Sequence, residues 1–139
     1  MRYLLDTNVV SEFASDRINP GLLEWLAQGD EREMAISVVT VGEIEKGIAW
    51  MPDGKRRRAL EVWLDAGLLP RFQGRILVLD IPDLRRWGQM IGSALRAGSP
   101  LPQVDTLIAA VALNRDLTVV TRNTDDFRRT GVRLLSPWS

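Results

Sequence analysis

The feature that most constrains this chain is the alternation of short apolar runs with longer segments of helical spacing. The apolar runs predict strands at Tyr3–Leu5, Met34–Ser37, Arg75–Leu79, Leu117–Thr121 and Val132–Leu135. The spacing between them predicts helices at Val9–Ala14, Pro20–Leu26, Val39–Met51, Lys55–Leu69, Ile81–Ala97 and Asp105–Asn114. Strands that alternate with helices favour a parallel sheet covered by helices. The pattern therefore predicts an α/β fold with a mostly parallel central sheet flanked by helices, in three α/β/α layers.

The length predicts a single domain over residues 1–139, because 139 residues suit one hydrophobic core and leave little room for a second. The N-terminal apolar run is too short for a signal peptide, and Asp6 interrupts it. The longest purely apolar run, Leu107–Leu113, is far shorter than a membrane span. We therefore expect a cytoplasmic protein with no membrane contact.

Two missing residue types restrict the chemistry. The chain contains no Cys and no His, which excludes disulfides, thiol nucleophiles, Ser-His-Asp machinery and the usual zinc ligands. Catalysis would then depend on carboxylates, hydroxyls, basic side chains or a metal held by oxygen, and such ligands favour Mg²⁺ or Mn²⁺. Lys and Arg together number 18, as do Asp and Glu, so bulk charge does not predict a protein that coats nucleic acid.

Four acidic residues lie where a parallel sheet would place a site. In such sheets, ligands bind beyond the carboxyl ends of the strands. Asp6 directly follows the first predicted strand, and Asp126 follows the strand that ends at Thr121. Glu43 lies in the helix after the second strand, and Asp105 begins a buried apolar helix. These positions predict an acidic cluster at one edge of the sheet.

Each position also has a purely structural interpretation. Asp6 and Asp105 both fit the cap of a turn or helix, because their side chains accept hydrogen bonds from free backbone N–H groups. Glu43 and Asp126 fit ordinary solvated acids on a helix and in a loop. The local sequence leaves both interpretations open for all four residues.

Four motifs together resemble the PIN-domain family. They are LLDTN at residues 4–8, SVVTVGE at residues 37–43, DTLIAAVA at residues 105–112 and VTRNTDDF at residues 120–127. Their order and spacing are similar to the VapC/FitB-type toxins of type II toxin–antitoxin systems. The similarity extends from residue 3 to the Pro137-Trp138 ending, essentially the whole chain.

The resemblance implies a PIN-like fold and a ribonuclease dependent on Mg²⁺ or Mn²⁺, with Asp6, Glu43 and Asp105 as the principal catalytic and metal-binding acids. Family members carry a fourth acid either directly after the Thr-Arg pair or just before the aromatic residue. The first place is Asn123 here, so Asp126 is our choice for the fourth acid.

Asp125 is the reserve for that fourth position, and Asn123 is a further contributor beside it. The resemblance also implies supporting roles for Thr7, Asn8 and Thr121.

The resemblance further implies the partners. These are an RNA substrate, a cognate antitoxin that blocks the site, and a homodimer or toxin–antitoxin hetero-oligomer in which DNA is contacted only through the antitoxin. Basic side chains must guide RNA to an acidic pocket, and Arg122 beside the fourth-acid loop is our candidate for phosphate contact. The basic run Lys55–Arg58 fits either RNA contact or a solvated helix start.

Two other functions compete with the ribonuclease. An aspartyl phosphatase or phosphotransferase would use Asp6 as its nucleophile, but the second Asp expected two residues later is Asn8. A non-catalytic binding module would keep the fold without the activity. Such a module has no need for a cluster of mutually repelling acids.

Overall fold

A computed structural model describes residues 1–139 and contains one sheet in the order β3-β2-β1-β4-β5. The strands are β1 (Tyr3–Leu5), β2 (Met34–Ser37), β3 (Ile76–Leu77), β4 (Thr118–Val120) and β5 (Leu134–Leu135). Every neighbouring pair is parallel, with Leu4 opposite Ala35 on one side and Val119 on the other. The predicted parallel sheet is confirmed, and all of its strands end at the same edge.

Helices connect the strands. They are α1 (Thr7–Glu12), α2 (Pro20–Gln28), α3 (Val38–Trp50), α4 (Lys55–Val62), α5 (Leu69–Arg71), α6 (Ile81–Arg96), α7 (Gln103–Asn114) and α8 (Thr124–Phe127). Local capping defines several starts: the Ser37 hydroxyl accepts from the backbone N–H of Val39, and Asp80 with Asp83 forms a capping box at α6. None of the helices is both long and apolar enough to cross a bilayer.

The side chains of β1 alternate between two halves of the core. Leu5 packs in the half that contains Phe72 and the buried residues of α1 and α2. Leu4 packs in the half that contains Phe127 and the buried residues of α7. Both leucines are fully buried, because helices cover each face of the sheet. The three-layer architecture is therefore as predicted.

The boundaries differ from the prediction at several elements. Helix α1 begins at Thr7 instead of Val9 because the carboxylate of Asp6 caps it. Helix α7 begins at Gln103, two residues before Asp105, and its cap position is Pro102. The predicted helix Lys55–Leu69 is interrupted by a π-helical segment, Trp63–Leu68, which connects α4 to α5. Strands β3, β4 and β5 are shorter than their apolar runs.

The C-terminal residues close over the start of α2. Asn19 Nδ2 donates to the Ser139 carbonyl (3.2 Å), and Asn19 Oδ1 accepts from the backbone nitrogens of Gly21 (3.0 Å) and Ser139 (3.1 Å). A Cβ atom on Gly21 would overlap the Pro137 carbonyl oxygen and the Ser139 nitrogen. Glycine at position 21 therefore lets the chain end pack here, with Trp138 against the adjacent core.

We expect Gly21→Ala to lower the free energy of unfolding by about 1–3 kcal/mol, because the chain end must move away from α2. Urea denaturation followed by circular dichroism measures this change. The matched control is Gly92→Ala in α6, where a Cβ meets no atom within 4 Å. That variant gains helix propensity without a clash and is expected to be as stable as wild type or more so. Equal stability of the two variants would contradict the packing argument.

Candidate metal centre at the carboxyl edge of the sheet

The acidic residues gather where the strand order changes direction. The chain passes from β1 to β2 on one side of β1, and β4 lies on its other side. Such a switch point opens a crevice at the carboxyl ends of the strands. Asp6 directly follows β1, and Thr121 directly follows β4. Helices α3, α7 and α8 bring Glu43, Asp105 and Asp126 to the same edge, where their charges act on one another.

Asp6 is buried and held by three donors. The residue is only 4% exposed to solvent. Oδ2 accepts from the Thr121 hydroxyl (2.8 Å) and from Asn8 Nδ2 (3.2 Å), while Oδ1 accepts from the backbone N–H of Thr7 (2.8 Å). The helix-cap interpretation of Asp6 is thus correct, but it accounts for only one of the two carboxylate oxygens. The other oxygen is oriented by Asn8 and Thr121, which follow the two strands of the switch point.

Glu43 is held in place by the hydroxyl group of Thr7. Thr7 Oγ1 donates to Glu43 Oε1 (2.5 Å) and also lies 3.2 Å from Thr40 Oγ1. Thr40 is fully buried and precedes Glu43 by three residues, so both lie on one face of α3. Thr40 is not among the residues predicted from the sequence, and its spacing from Glu43 is the only signal that could have revealed it. The contacts fix α1 against α3 beside the acids.

Asp105 is not a helix cap. It is the third residue of α7, and no side chain caps this helix, so the capping interpretation is wrong. Burial is the largest cause that raises the pKa of Asp105, and together with the negative charges of Asp6, Asp126 and Glu43 it brings the pKa to about 6. No donor in the chain compensates this carboxylate. It is therefore the acid with the most to gain from a cation.

The pKa of Asp6 is also raised. Burial is the largest cause and outweighs the hydrogen bonds from Thr121 and Thr7, which lower the pKa. The charges of Glu43 and Asp126 raise it further. The four predicted acids therefore form one group whose members repel each other.

The neighbourhood of the fourth acid separates its three candidates. Asp126 is the residue of this loop whose charge acts on Asp6 and Asp105. Asp125 instead forms an exposed ion pair with Arg128 (3.0 Å). The backbone N–H of Asn123 donates to Thr121 Oγ1 (3.0 Å). These contacts favour Asp126 over the reserve Asp125.

Asn8 connects the two loops of the switch point. Its Nδ2 lies 3.2 Å from both Asp6 Oδ2 and Thr121 Oγ1, and its Oδ1 accepts from the backbone N–H of Arg122 (3.1 Å). The guanidinium of Arg122 forms no ion pair, and the residue is exposed to solvent. Thr121 and Asn8 thus support Asp6, and Arg122 is free to contact a ligand.

We expect Thr121→Val to weaken Mg²⁺ or Mn²⁺ binding by roughly 10-fold, because groups that orient a ligand carboxylate contribute on this scale. The substitution removes the buried donor to Asp6 and the acceptor of the Asn123 N–H. Isothermal titration with Mn²⁺ measures the affinity. Thr121→Ser keeps the hydroxyl and serves as the control, expected to retain most of the affinity. Equal losses in both variants would show that packing, not the hydroxyl, supports Asp6.

The donor set fits a hard divalent cation. Four carboxylates, with hydroxyl and amide groups around them and no sulfur or imidazole, are oxygen ligands of the kind that Mg²⁺ and Mn²⁺ prefer. As the side chains stand, no three acidic groups converge closely enough to coordinate one ion. A divalent cation would neutralise the repulsion that, together with burial, raises the pKa values of Asp6 and Asp105.

The fold and the site are those of a parallel α/β protein with a group of acids at the switch point of its sheet. Comparison with known proteins identifies the family. The PIN domain family model matches residues 3–133, and the chain belongs to that family. Toxin FitB of Neisseria gonorrhoeae is 36% identical over 97% of both chains. VapC ribonuclease Y4jK of Sinorhizobium fredii is 33% identical over 97% of this chain and 96% of its own. The solved structure of FitAB bound to the IR36 DNA fragment matches with a TM-score of 0.88 and 34% identity, over 99% of this chain and 96% of the other.

Proposed function

We propose that this chain is a divalent-metal-dependent ribonuclease that hydrolyses phosphodiester bonds in RNA and acts as the toxin of a toxin–antitoxin pair. The observation that carries the proposal is the group of acids at the carboxyl edge of the sheet, where burial and the charges of Asp6, Asp126 and Glu43 raise the pKa of Asp105. The similarity to a VapC ribonuclease and to toxin FitB supports the same activity.

Each acid has a definite part in this proposal. A divalent cation held by Asp6, Glu43, Asp105 and Asp126 would supply Lewis-acid stabilisation of the charge that develops on the phosphoryl oxygens. Asp6 presents one oriented oxygen, because Thr121, Asn8 and Thr7 restrain its rotation.

The remaining groups position the ligand and the substrate. Thr7 orients the Glu43 carboxylate by donating to it. The exposed Arg122 guanidinium would hold a phosphate of the RNA backbone, a contact that fixes the register of the substrate without reading its bases.

The phosphatase alternative fits the geometry poorly. A nucleophilic Asp6 would need access to a phosphomonoester, but the residue is 4% exposed and its Oδ2 already accepts two hydrogen bonds. The position that would carry the second Asp holds Asn8, whose amide bridges the loops. A binding module would not need the destabilising repulsion among the acids.

One experiment separates the three functions. The purified chain is incubated with a structured RNA in Mg²⁺ or Mn²⁺, with excess chelator, and separately with a small phosphomonoester. Cleavage of RNA that requires the metal supports the proposal. Phosphate release without RNA cleavage would replace it with the phosphatase, and inertness toward both substrates would replace it with the binding module.

We also propose a cognate antitoxin as the partner that blocks this site, with DNA reached only through that antitoxin. The support is the similarity to FitB and to a FitAB complex solved on DNA. Light scattering of the chain alone tests the homodimer. Gel shift of promoter DNA with and without the antitoxin tests the indirect DNA contact, and a shift by the chain alone would contradict it.

A further inference from the structure

A groove leads away from the acidic site. It has a volume of about 540 Å³, begins at Thr7 and Glu43, and extends between α1 with the residues that follow it, helix α3 and helix α4. Pockets that enclose small organic molecules measure about 300–1,000 Å³, so the groove is large enough for nucleotide units. One wall is apolar, with Leu60 and Trp63 among its residues.

Two cations line this groove without a partner. The guanidinium groups of Arg17 and Arg56 form no ion pair, although Asp16 lies on the same wall. The adjacent Arg57, by contrast, is engaged by Asp53 (3.3 Å) and Glu61 (3.0 Å). Within the basic run at the start of α4, Arg57 is therefore paired with two acids, whereas Arg56 is unpaired and lines the groove.

We propose that this groove holds the single-stranded RNA segment that leads to the acidic site, with Arg17 and Arg56 binding its phosphates. The inference rests on the proposed ribonuclease function and adds the path of the substrate. Unpaired guanidinium groups are well suited to phosphate oxygens, and the apolar wall beside them offers contact to bases. Continuity with Glu43 places a chain bound here in line with the candidate metal ligands.

Electrostatics favours RNA over an apolar peptide as the occupant. Glu43 and Asp16 alone would make the groove negative, and Arg17 with Arg56 balances those two charges, so the free guanidinium groups are needed to bring a polyanion close to the acids. A peptide held mainly by the apolar wall would gain little from either arginine.

Binding and kinetics test the path together. A fluorescein-labelled, unstructured 12-nucleotide RNA is titrated in chelator with wild type, Arg17→Ala, Arg56→Ala and the control Arg58→Ala. Arg58 belongs to the same basic run and is exposed, but it does not line the groove. We expect each groove variant to bind roughly 3- to 10-fold more weakly, with a salt slope smaller by about 0.7, as for one lost phosphate contact. The control should stay within about twofold of wild type.

Steady-state cleavage in Mg²⁺ gives a second readout. The groove variants should raise KM and leave kcat nearly unchanged, because they remove binding shared by substrate and transition state. Ultraviolet crosslinking of the RNA should label the peptide containing residues 55–63. Groove variants that behave like Arg58→Ala in both assays would overturn the proposed path. Groove variants that lose antitoxin affinity but keep the RNA affinity and KM of wild type would also overturn it. If wild type cleaves RNA in a metal-dependent way and the groove variants behave like wild type, only the proposed path is refuted. If wild type does not cleave RNA, the proposed ribonuclease function is refuted.

Discussion

Asp6→Asn is expected to lower kcat/KM for RNA cleavage by at least about 100-fold, the scale of losing a group that stabilises transition-state charge through a metal. The amide preserves the size of the side chain but removes the charge, and its NH2 group cannot accept the hydrogen bonds that one carboxylate oxygen accepts. Asp6 accepts three hydrogen bonds and is 4% exposed, so no neighbouring carboxylate can move into its place.

A matched control separates charge at the site from charge in general. Asp116→Asn also replaces one carboxylate by an amide, at an exposed position paired with Arg133 (2.8 Å). Its left-handed backbone, with φ of 56°, tolerates Asn well. Cleavage of the same RNA at equal Mg²⁺ concentration should be near wild type in this control. Comparable activity of the two variants would remove Asp6 from the catalytic site.

Asp105→Asn is expected to abolish most activity and to stabilise the metal-free protein at pH 8. The pKa of Asp105 is about 6 in the folded chain, against 3.8 as its ordinary value. Between pH 4 and pH 6 the folded state therefore binds more protons than the unfolded state, so stability falls as pH rises and remains reduced above pH 6. Asn cannot ionise, so the variant does not lose this stability as the pH rises. Because Asp105 is partly exposed, we expect a modest rise in Tm, about 3 °C, at pH 8 and none at pH 4.

Metal linkage completes this test. Mg²⁺ at 10 mM, roughly a saturating concentration for a millimolar site, should raise the Tm of wild type at pH 8 by mass action. The rise should be much smaller for Asp105→Asn, which lacks one ligand. Differential scanning fluorimetry at both pH values measures all four conditions. A large fall in Tm at pH 8 with the Mg²⁺ effect intact would show that Asp105 has a structural role only.

The central strands were predictable because they are short, apolar and buried on both faces, as Leu4 and Leu5 are. The edge strands β3 and β5 are also apolar but only half-buried. The positions of the strand ends were harder to predict from the sequence, because pairing with a neighbouring strand decides where a strand stops. Whether Asp105 caps its helix was undecidable locally, since the helix begins at Gln103 behind a proline. The choice between Asp125 and Asp126 was equally hidden, because neighbours in a short helix point in different directions.

Residue types and their order along the chain were enough to specify a parallel α/β domain, to exclude thiol and imidazole chemistry, and to nominate Asp6, Glu43, Asp105 and Asp126. Local patterns carry that information because burial and ligand chemistry belong to each residue. The resemblance implied a supporting role for Thr121, but only long-range packing revealed that its hydroxyl donates to Asp6. Packing alone also revealed that Thr7 joins Glu43 to Thr40 and that Arg56 shares a groove with Glu43. Such relations join side chains distant in sequence, and they exist only after the sheet and its helices have assembled.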